Sequence, residues 1–214
     1  MDELKHLIDF ILHIDQYLPQ MIHDYGTLIY AILFLIIFSE TGFVVTPFLP
    51  GDSLLFGVGM IAGNADNHLN FWVCLLLLCV AAVLGNTINY QIGRWIGPKV
   101  FSQNSRLFKM EYLERTQKFY TKYGGNTIIL SRFIPIVRTF APFVAGVGKM
   151  DYKKFLLYNL IGGCAWVILF LSAGYFFGGF EIVQKHFEFI ALGIIVVSLL
   201  PVVFGFLGRK KEID

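Results

Sequence analysis

Apolar blocks alternate with polar connectors along the whole chain, and the blocks are of two kinds. Residues 155–180 and 189–208 are apolar stretches without a charged residue, each near the ~20 residues a membrane-crossing helix needs. Residues 71–97 are equally long, but their second half carries Asn86, Thr87, Asn89 and Gln91 and ends on Arg94. The other two blocks are broken in the middle. In 28–63, eleven apolar residues from Leu28 to Phe38 lead into SETGFVVTPFLPGD, after which the chain is apolar again to Gly63. In 127–149 the run TIILSRFIPIVRTFAPFVAGVGK is broken by Arg132, Pro135, Arg138, Pro142 and Gly146.

Length separates the two kinds. Eleven residues of helix rise only ~16 Å, against a hydrocarbon core of ~30 Å. Neither half of 28–63 spans alone, and Pro47, Pro50 and Gly51 interrupt the middle. A re-entrant hairpin of two half-helices is therefore expected, with one over-long span through Glu40 as the alternative. Charge gives the same reading for 127–149. Residues 98–126 carry Lys99, Arg106, Lys109, Arg115, Lys118 and Lys122. Lys149, Lys153 and Lys154 precede the 155–180 block, and Arg209, Lys210 and Lys211 follow the last one. Placing all three basic segments in the cytoplasm, C-terminus included, requires 127–149 to enter the membrane and return. With only 71–97 between them, the two hairpins enter from opposite faces. PFLPG at 47–51 and PFVAG at 142–146 echo one another, which suggests an inverted repeat.

Ahead of these blocks, Leu4, Leu7, Ile8, Ile11, Ile14 and Leu18 recur at helical spacing, with Lys5, Asp9, His13, Gln16 and Gln20 opposite. This predicts an amphipathic helix over 4–24. The expected fold is an all-α polytopic membrane protein in one domain: that helix, two units of re-entrant hairpin plus transmembrane helix, and an extra C-terminal span.

Composition agrees. The chain is 56% hydrophobic and 15% charged, against about 25% charged in soluble domains. A net charge of +2 gives no basis for nucleic-acid binding. Cys74, Cys79 and Cys164 lie in apolar runs without metal or disulfide spacing and read as packing residues. His6 and His13 share a helix face but have no third ligand in view, so no metal site and no cofactor are expected. The first 25 residues hold five acids and one lysine, unlike a signal peptide.

The candidate chemistry lies in the hairpins. An ionised side chain near the bilayer centre costs ~2.5–3.5 kcal/mol or more. Glu40 and Asp52 in the first hairpin and Arg132 and Arg138 in the second sum to zero charge, so pairing across the hairpins is expected. Such pairs are a poor source of net stability, which argues for a task beyond stapling. The planar guanidinium fork suits phosphate or carboxylate, so Arg132 and Arg138 are the expected substrate-binding residues. Glu40 and Asp52, displaced by an arriving anion, are the expected proton carriers. The chemistry points to a phosphate-bearing amphiphile moved across the membrane with proton uptake.

ETGFVVTPFLPGDSLL, NYQIGRWIG and SRFIPIVRTFAPFVAGVGKM, with the Arg-Phe-x-Pro-x-x-Arg run at 132–138, resemble the DedA family of bacterial inner-membrane proteins over nearly the whole chain. The resemblance implies a multi-pass inner-membrane lipid transporter with paired re-entrant hairpins. It further implies a polyprenyl phosphate such as undecaprenyl phosphate as substrate and coupling to the proton motive force. Family roles carry over to Glu40 and Asp52 as the acidic pair and Arg132 and Arg138 as the arginine pair. Asn86 departs from the family pattern, where an acid after the glycine is expected. An uncoupled phospholipid scramblase or a proton-coupled ion antiporter on the same fold is the alternative. An enzyme is not expected: SRFIPIVR has Arg138 where a lipid phosphatase would need its histidine, and Ser53 has no base beside it. Gly93–Gly97 and Gly174–Gly178 form GxxxG runs suited to packing within the chain or to a homo-oligomer.

Overall fold

The computed structural model describes residues 14–43, 51–64, 69–96, 120–121, 124–187, 189–190 and 192–193. Among them the regular structure is helical, without strands. In chain order the helices are α1 (Ile14–Tyr25), α2 (Leu28–Gly42), α3 (Gly51–Ala62), α4 (Phe71–Ile96), α5 (Thr127–Ser131), α6 (Pro135–Val147), α7 (Tyr152–Phe177) and α8 (Glu181–Lys185). A 3₁₀ turn over Gly124–Asn126 leads into α5.

Among the described residues two helices are long and apolar enough to cross a membrane. Both α4 and α7 have 26 residues, about 39 Å of helix at ~1.5 Å per residue. Their starts are fixed locally. Asn70 Oδ1 accepts from the backbone N–H of Trp72 at 2.9 Å and of Val73 at 3.2 Å, capping α4. Asp151 caps α7 by accepting from Lys154 N–H at 3.0 Å. The outer face of α4 exposes Trp72, Leu76, Val80, Leu84 and Ile88, four residues apart in succession, and α7 exposes Leu157, Leu160, Ile161, Ile168 and Leu169. Apolar stripes of that length suit hydrocarbon as the solvent.

Among the described residues the two interrupted blocks are short helices. At 15 and 12 residues, α2 and α3 reach about 22 and 18 Å. The second interrupted block divides into the five residues of α5 and the thirteen of α6. Its break falls at residues 132–134, and Pro135 opens α6, where its missing N–H costs nothing.

Packing between these parts is reciprocal. Helix α2 lies on α4 and α5 lies on α7, so the first member of each short pair contacts the span that follows it. The second members exchange: α3 packs on α7, and α6 packs on α4. Glycines make both exchanges possible. A Cβ at Gly59 or Gly174 would strike the carbonyl of Leu171 or Phe56, and one at Gly93 or Gly146 would strike that of Phe143 or Tyr90. Gly178 likewise packs on Met60. The described members of the two GxxxG runs therefore serve close approach within the chain; Gly97 lies outside the described residues.

Several expectations change. Pro142, expected to break a hairpin, lies inside α6. Its ring removes the intrahelical donor to the carbonyl four residues back, which weakens the ladder without ending the helix. Gly146 is no breaker either, since the helix passes through it to Val147 and its role is the close contact with α4. The echo of PFLPG with PFVAG does not mark equivalent places: Gly51 begins α3, whereas Gly146 stands one residue before the end of α6. Pro47 and Pro50 lie outside the described residues. So do most of 98–126, the first half of the predicted amphipathic helix, and all but the first few residues of 189–208.

Candidate functional site

The break in each short pair carries its charged side chains to one place. Glu40 lies in the last turn of α2 and Asp52 is the second residue of α3. Arg132 follows the last residue of α5, and Arg138 is the fourth residue of α6. All four are buried, with exposures of 1% for Glu40, 8% for Asp52, 2% for Arg132 and 8% for Arg138.

Arg138 joins both acids. Its Nη1 donates to Asp52 Oδ1 at 2.9 Å, and its Nη2 forms a short ion pair with Glu40 Oε1. Glu40 Oε1 also accepts from the Gly51 backbone N–H at 3.2 Å, so the carboxylate closing α2 caps the start of α3. A Cβ at position 51 would overlap the Glu40 carboxylate and force it to shift. Glu40 Oε2 has no hydrogen-bond partner among the described residues.

Arg132 behaves differently from the expected second ion pair. Its Nη2 donates to the Ala82 carbonyl at 3.1 Å and to Asn159 Oδ1 at 2.9 Å, and among the described residues no carboxylate lies within ion-pair distance of it. The physical reason is placement. Held at the end of α5 against α4 and α7, Arg132 reaches amides and carbonyls, while Arg138 reaches the last turn of α2 and the first turn of α3.

Trp166, in the middle of α7, organises the set. Its indole N–H donates to Asp52 Oδ1 at 2.7 Å, and its ring lies 5.7 Å from the guanidinium carbon of each arginine. Three buried asparagines complete the surroundings. Asn159 on α7 donates to the Val83 carbonyl at 3.0 Å while accepting from Arg132. Asn89 on α4 donates to the carbonyls of Thr41 at 3.3 Å and Thr139 at 2.9 Å, tying the acid-bearing and arginine-bearing helices to one span. Asn86 donates to Asn159 Oδ1 at 3.0 Å; with its amide turned over, its oxygen instead accepts from Arg132 at 2.8 Å. At position 86 the chain thus carries a neutral amide within reach of a guanidinium.

Trp166, Asn159 and Asn89 were not predicted as site residues. Trp166 and Asn159 sit in a block whose hydropathy reads as a plain span, and a tryptophan in a span is unremarkable. Asn159 did carry a signal, since an amide inside an apolar run is expensive and marks a buried contact. Among the described residues no group of three His, Cys, Asp or Glu side chains could hold a metal. The arrangement places two buried guanidiniums against one indole ring, one of them paired with both carboxylates and the other with neutral acceptors.

Comparison with known proteins adds the family. A model described as the VTT domain matches residues 49–176. Protein DedA of Escherichia coli (strain K12) is 54% identical over 212 residues, which is 99% of this chain and 97% of that protein. Inner membrane protein YqjA of the same strain is 33% identical over 85% of this chain and 82% of its own length. Uncharacterized membrane protein Rv0364 of Mycobacterium tuberculosis (strain ATCC 25618 / H37Rv) is 42% identical, covering 83% and 78%. No solved structure matches.

Proposed function

Since the chain belongs to the DedA family of VTT-domain membrane proteins, we propose that it is a lipid transporter. It carries a polyprenyl phosphate such as undecaprenyl phosphate across the bacterial inner membrane, coupled to the proton motive force, and performs no covalent chemistry. The observation that carries this reading is the unequal state of the two arginines. Arg138 is neutralised by Glu40 and Asp52, whereas Arg132 is buried against neutral acceptors and aromatic surface. A buried guanidinium without a carboxylate is a receptor for an oxyanion.

On this reading the lipid phosphate engages Arg132 first and then draws Arg138 from the acids. A carboxylate deprived of its cation takes up a proton, which offsets one unit of the negative charge that the phosphate brings. The short pairs 28–63 and 127–149 act as re-entrant hairpins from opposite faces, and the exchange of α3 and α6 between the spans supports an inverted repeat. Rocking of one pair against the other then opens the opposite face. The three basic segments favour a cytoplasmic C-terminus.

The test is translocation of undecaprenyl phosphate, or a short-chain analogue, in proteoliposomes with and without an imposed pH gradient. Gradient-dependent movement that Arg132→Ala abolishes is the expected result. Movement indifferent to the gradient would make the protein a scramblase, and movement of inorganic ions alone would make it an antiporter. Steady release of phosphate from the lipid would replace the reading with an enzymatic one.

A further inference from the structure

The two acids that share Arg138 are held unequally, and Trp166 makes the difference. Asp52 Oδ1 receives two donors from separate helices, Arg138 Nη1 at 2.9 Å and the indole N–H at 2.7 Å. If Arg138 swings to an incoming anion, the indole still holds Asp52. Glu40 has no such second anchor on a side chain. Its Oε1 would keep only the Gly51 N–H at 3.2 Å, and its Oε2, in a side chain 1% exposed, has no hydrogen-bond partner among the described residues.

The other groups facing Glu40 do not fill that gap. Asp52 on α3 repels it, while Arg138 on α6 and Arg132 at the end of α5 attract it. From α4, Asn89 donates to the Thr41 backbone carbonyl at 3.3 Å and supplies no hydrogen bond to Glu40 Oε2. Buried polar atoms are almost always partnered, so a bare carboxylate oxygen at the meeting of four helices calls for an occupant. A proton fits best, because it neutralises the charge that Arg138 leaves behind and needs no room beyond one O–H bond.

We infer that Glu40 Oε2 is the atom that takes the proton when an anion engages Arg138, and that Trp166 is a positioning residue that keeps Asp52 hydrogen-bonded once Arg138 has left it. The step is balanced: hydronium from the aqueous side gives up one proton, an O–H bond forms on Oε2, and water is released. The inference rests on the transporter reading for the arrival of an anion, but its test needs no lipid phosphate as substrate.

Infrared difference spectra of the full-length protein in liposomes, titrated with pH in the presence of inorganic phosphate, report protonated carboxyl groups directly. One buried carboxyl band is expected in the wild type, lost in Glu40→Gln and kept in Asp52→Asn. Trp166→Phe retains a ring beside both guanidiniums and removes the N–H, so a second band should appear, and adding Asp52→Asn should abolish it. Survival of the band in Glu40→Gln, its absence from the wild type, or a folded Trp166→Phe protein with an unchanged single band overturns the inference. If Trp166→Phe does not fold, Glu40→Gln and Asp52→Asn still decide which acid carries the proton. A failed lipid-transport assay beside the expected bands would remove the lipid reading and leave the carrier assignment standing.

Discussion

The half of the molecule that carries the acids and the half that carries the arginines use the same parts with opposite electrostatics. Each has a pair of short helices followed by a 26-residue span, and each lends its second short helix to the other's span through glycine–backbone contact. In the first half, Glu40 stands at the carboxyl end of α2, where the helix dipole disfavours an anion. In the second, Arg138 stands near the amino end of α6, where the dipole disfavours a cation. Each charge is misplaced on its own helix and well placed on its partner's side of the interface. Asp52 is the exception, since an acid in the first turn of α3 is favoured there. The lesson is that the pair Glu40–Arg138 is held together by mutual need, while Asp52 has independent reasons to stay charged and in place.

Removing Arg138 should break the comparison most severely. Arg138→Ala leaves two buried acids without their shared cation, and a loss of ~3–5 kcal/mol is expected from such a broken pair. Thermal denaturation in detergent reads it, and transport should be lost with it. Removing both stranded acid charges with Glu40→Gln and Asp52→Asn in the same protein should recover most of the stability and none of the transport. Arg132→Gln should separate the arginines: no carboxylate is left behind, so we expect ~1–3 kcal/mol, the range for an altered buried polar contact, but transport should fall as far as for Arg138→Ala. Equal destabilisation by the two substitutions would show that Arg132 has a counter-ion after all.

The symmetry of the glycine contacts can be sharpened by Gly59→Ala and Gly146→Ala. Each pushes a methyl group into backbone, and overpacking of this kind costs ~1–3 kcal/mol. Similar losses at both positions are expected, and a marked inequality would mean that only one exchange is tight. Lys149 offers the smallest effect. It follows α6 at φ 52, with Met150 N–H donating to the Ala145 carbonyl at 2.9 Å, a helix-ending geometry that glycine adopts more readily. Lys149→Gly should raise stability by ~0.5–1 kcal/mol, read as a small upward shift in melting temperature.

Much of this was legible along the chain, for identifiable reasons. The cost of a charge in lipid singled out Glu40, Asp52, Arg132 and Arg138 without any structure, and helix length against membrane thickness separated short helices from spans. What escaped is decided by tertiary placement. Pro142 is as strong a breaker on paper as Pro135, yet packing of α6 on α4 carries the helix through it. Net charge gave two acids for two arginines but could not divide them. Arg138 takes both because its place on α6 reaches the end of α2 and the start of α3, and Arg132 turns to Asn159, whose part no charge count would suggest.

The exchange of short helices also bears on how the protein is made. Asp52 and the indole that holds it are 114 residues apart in the chain. At ~5–20 residues per second of synthesis, roughly 6–23 seconds separate their emergence from the ribosome. Through that interval the first half has neither its cation nor the glycine face of α7. Newborn chains are therefore most exposed to quality control before the second half arrives, and a truncation after α4 would leave behind an acidic fragment with no resting place in the membrane.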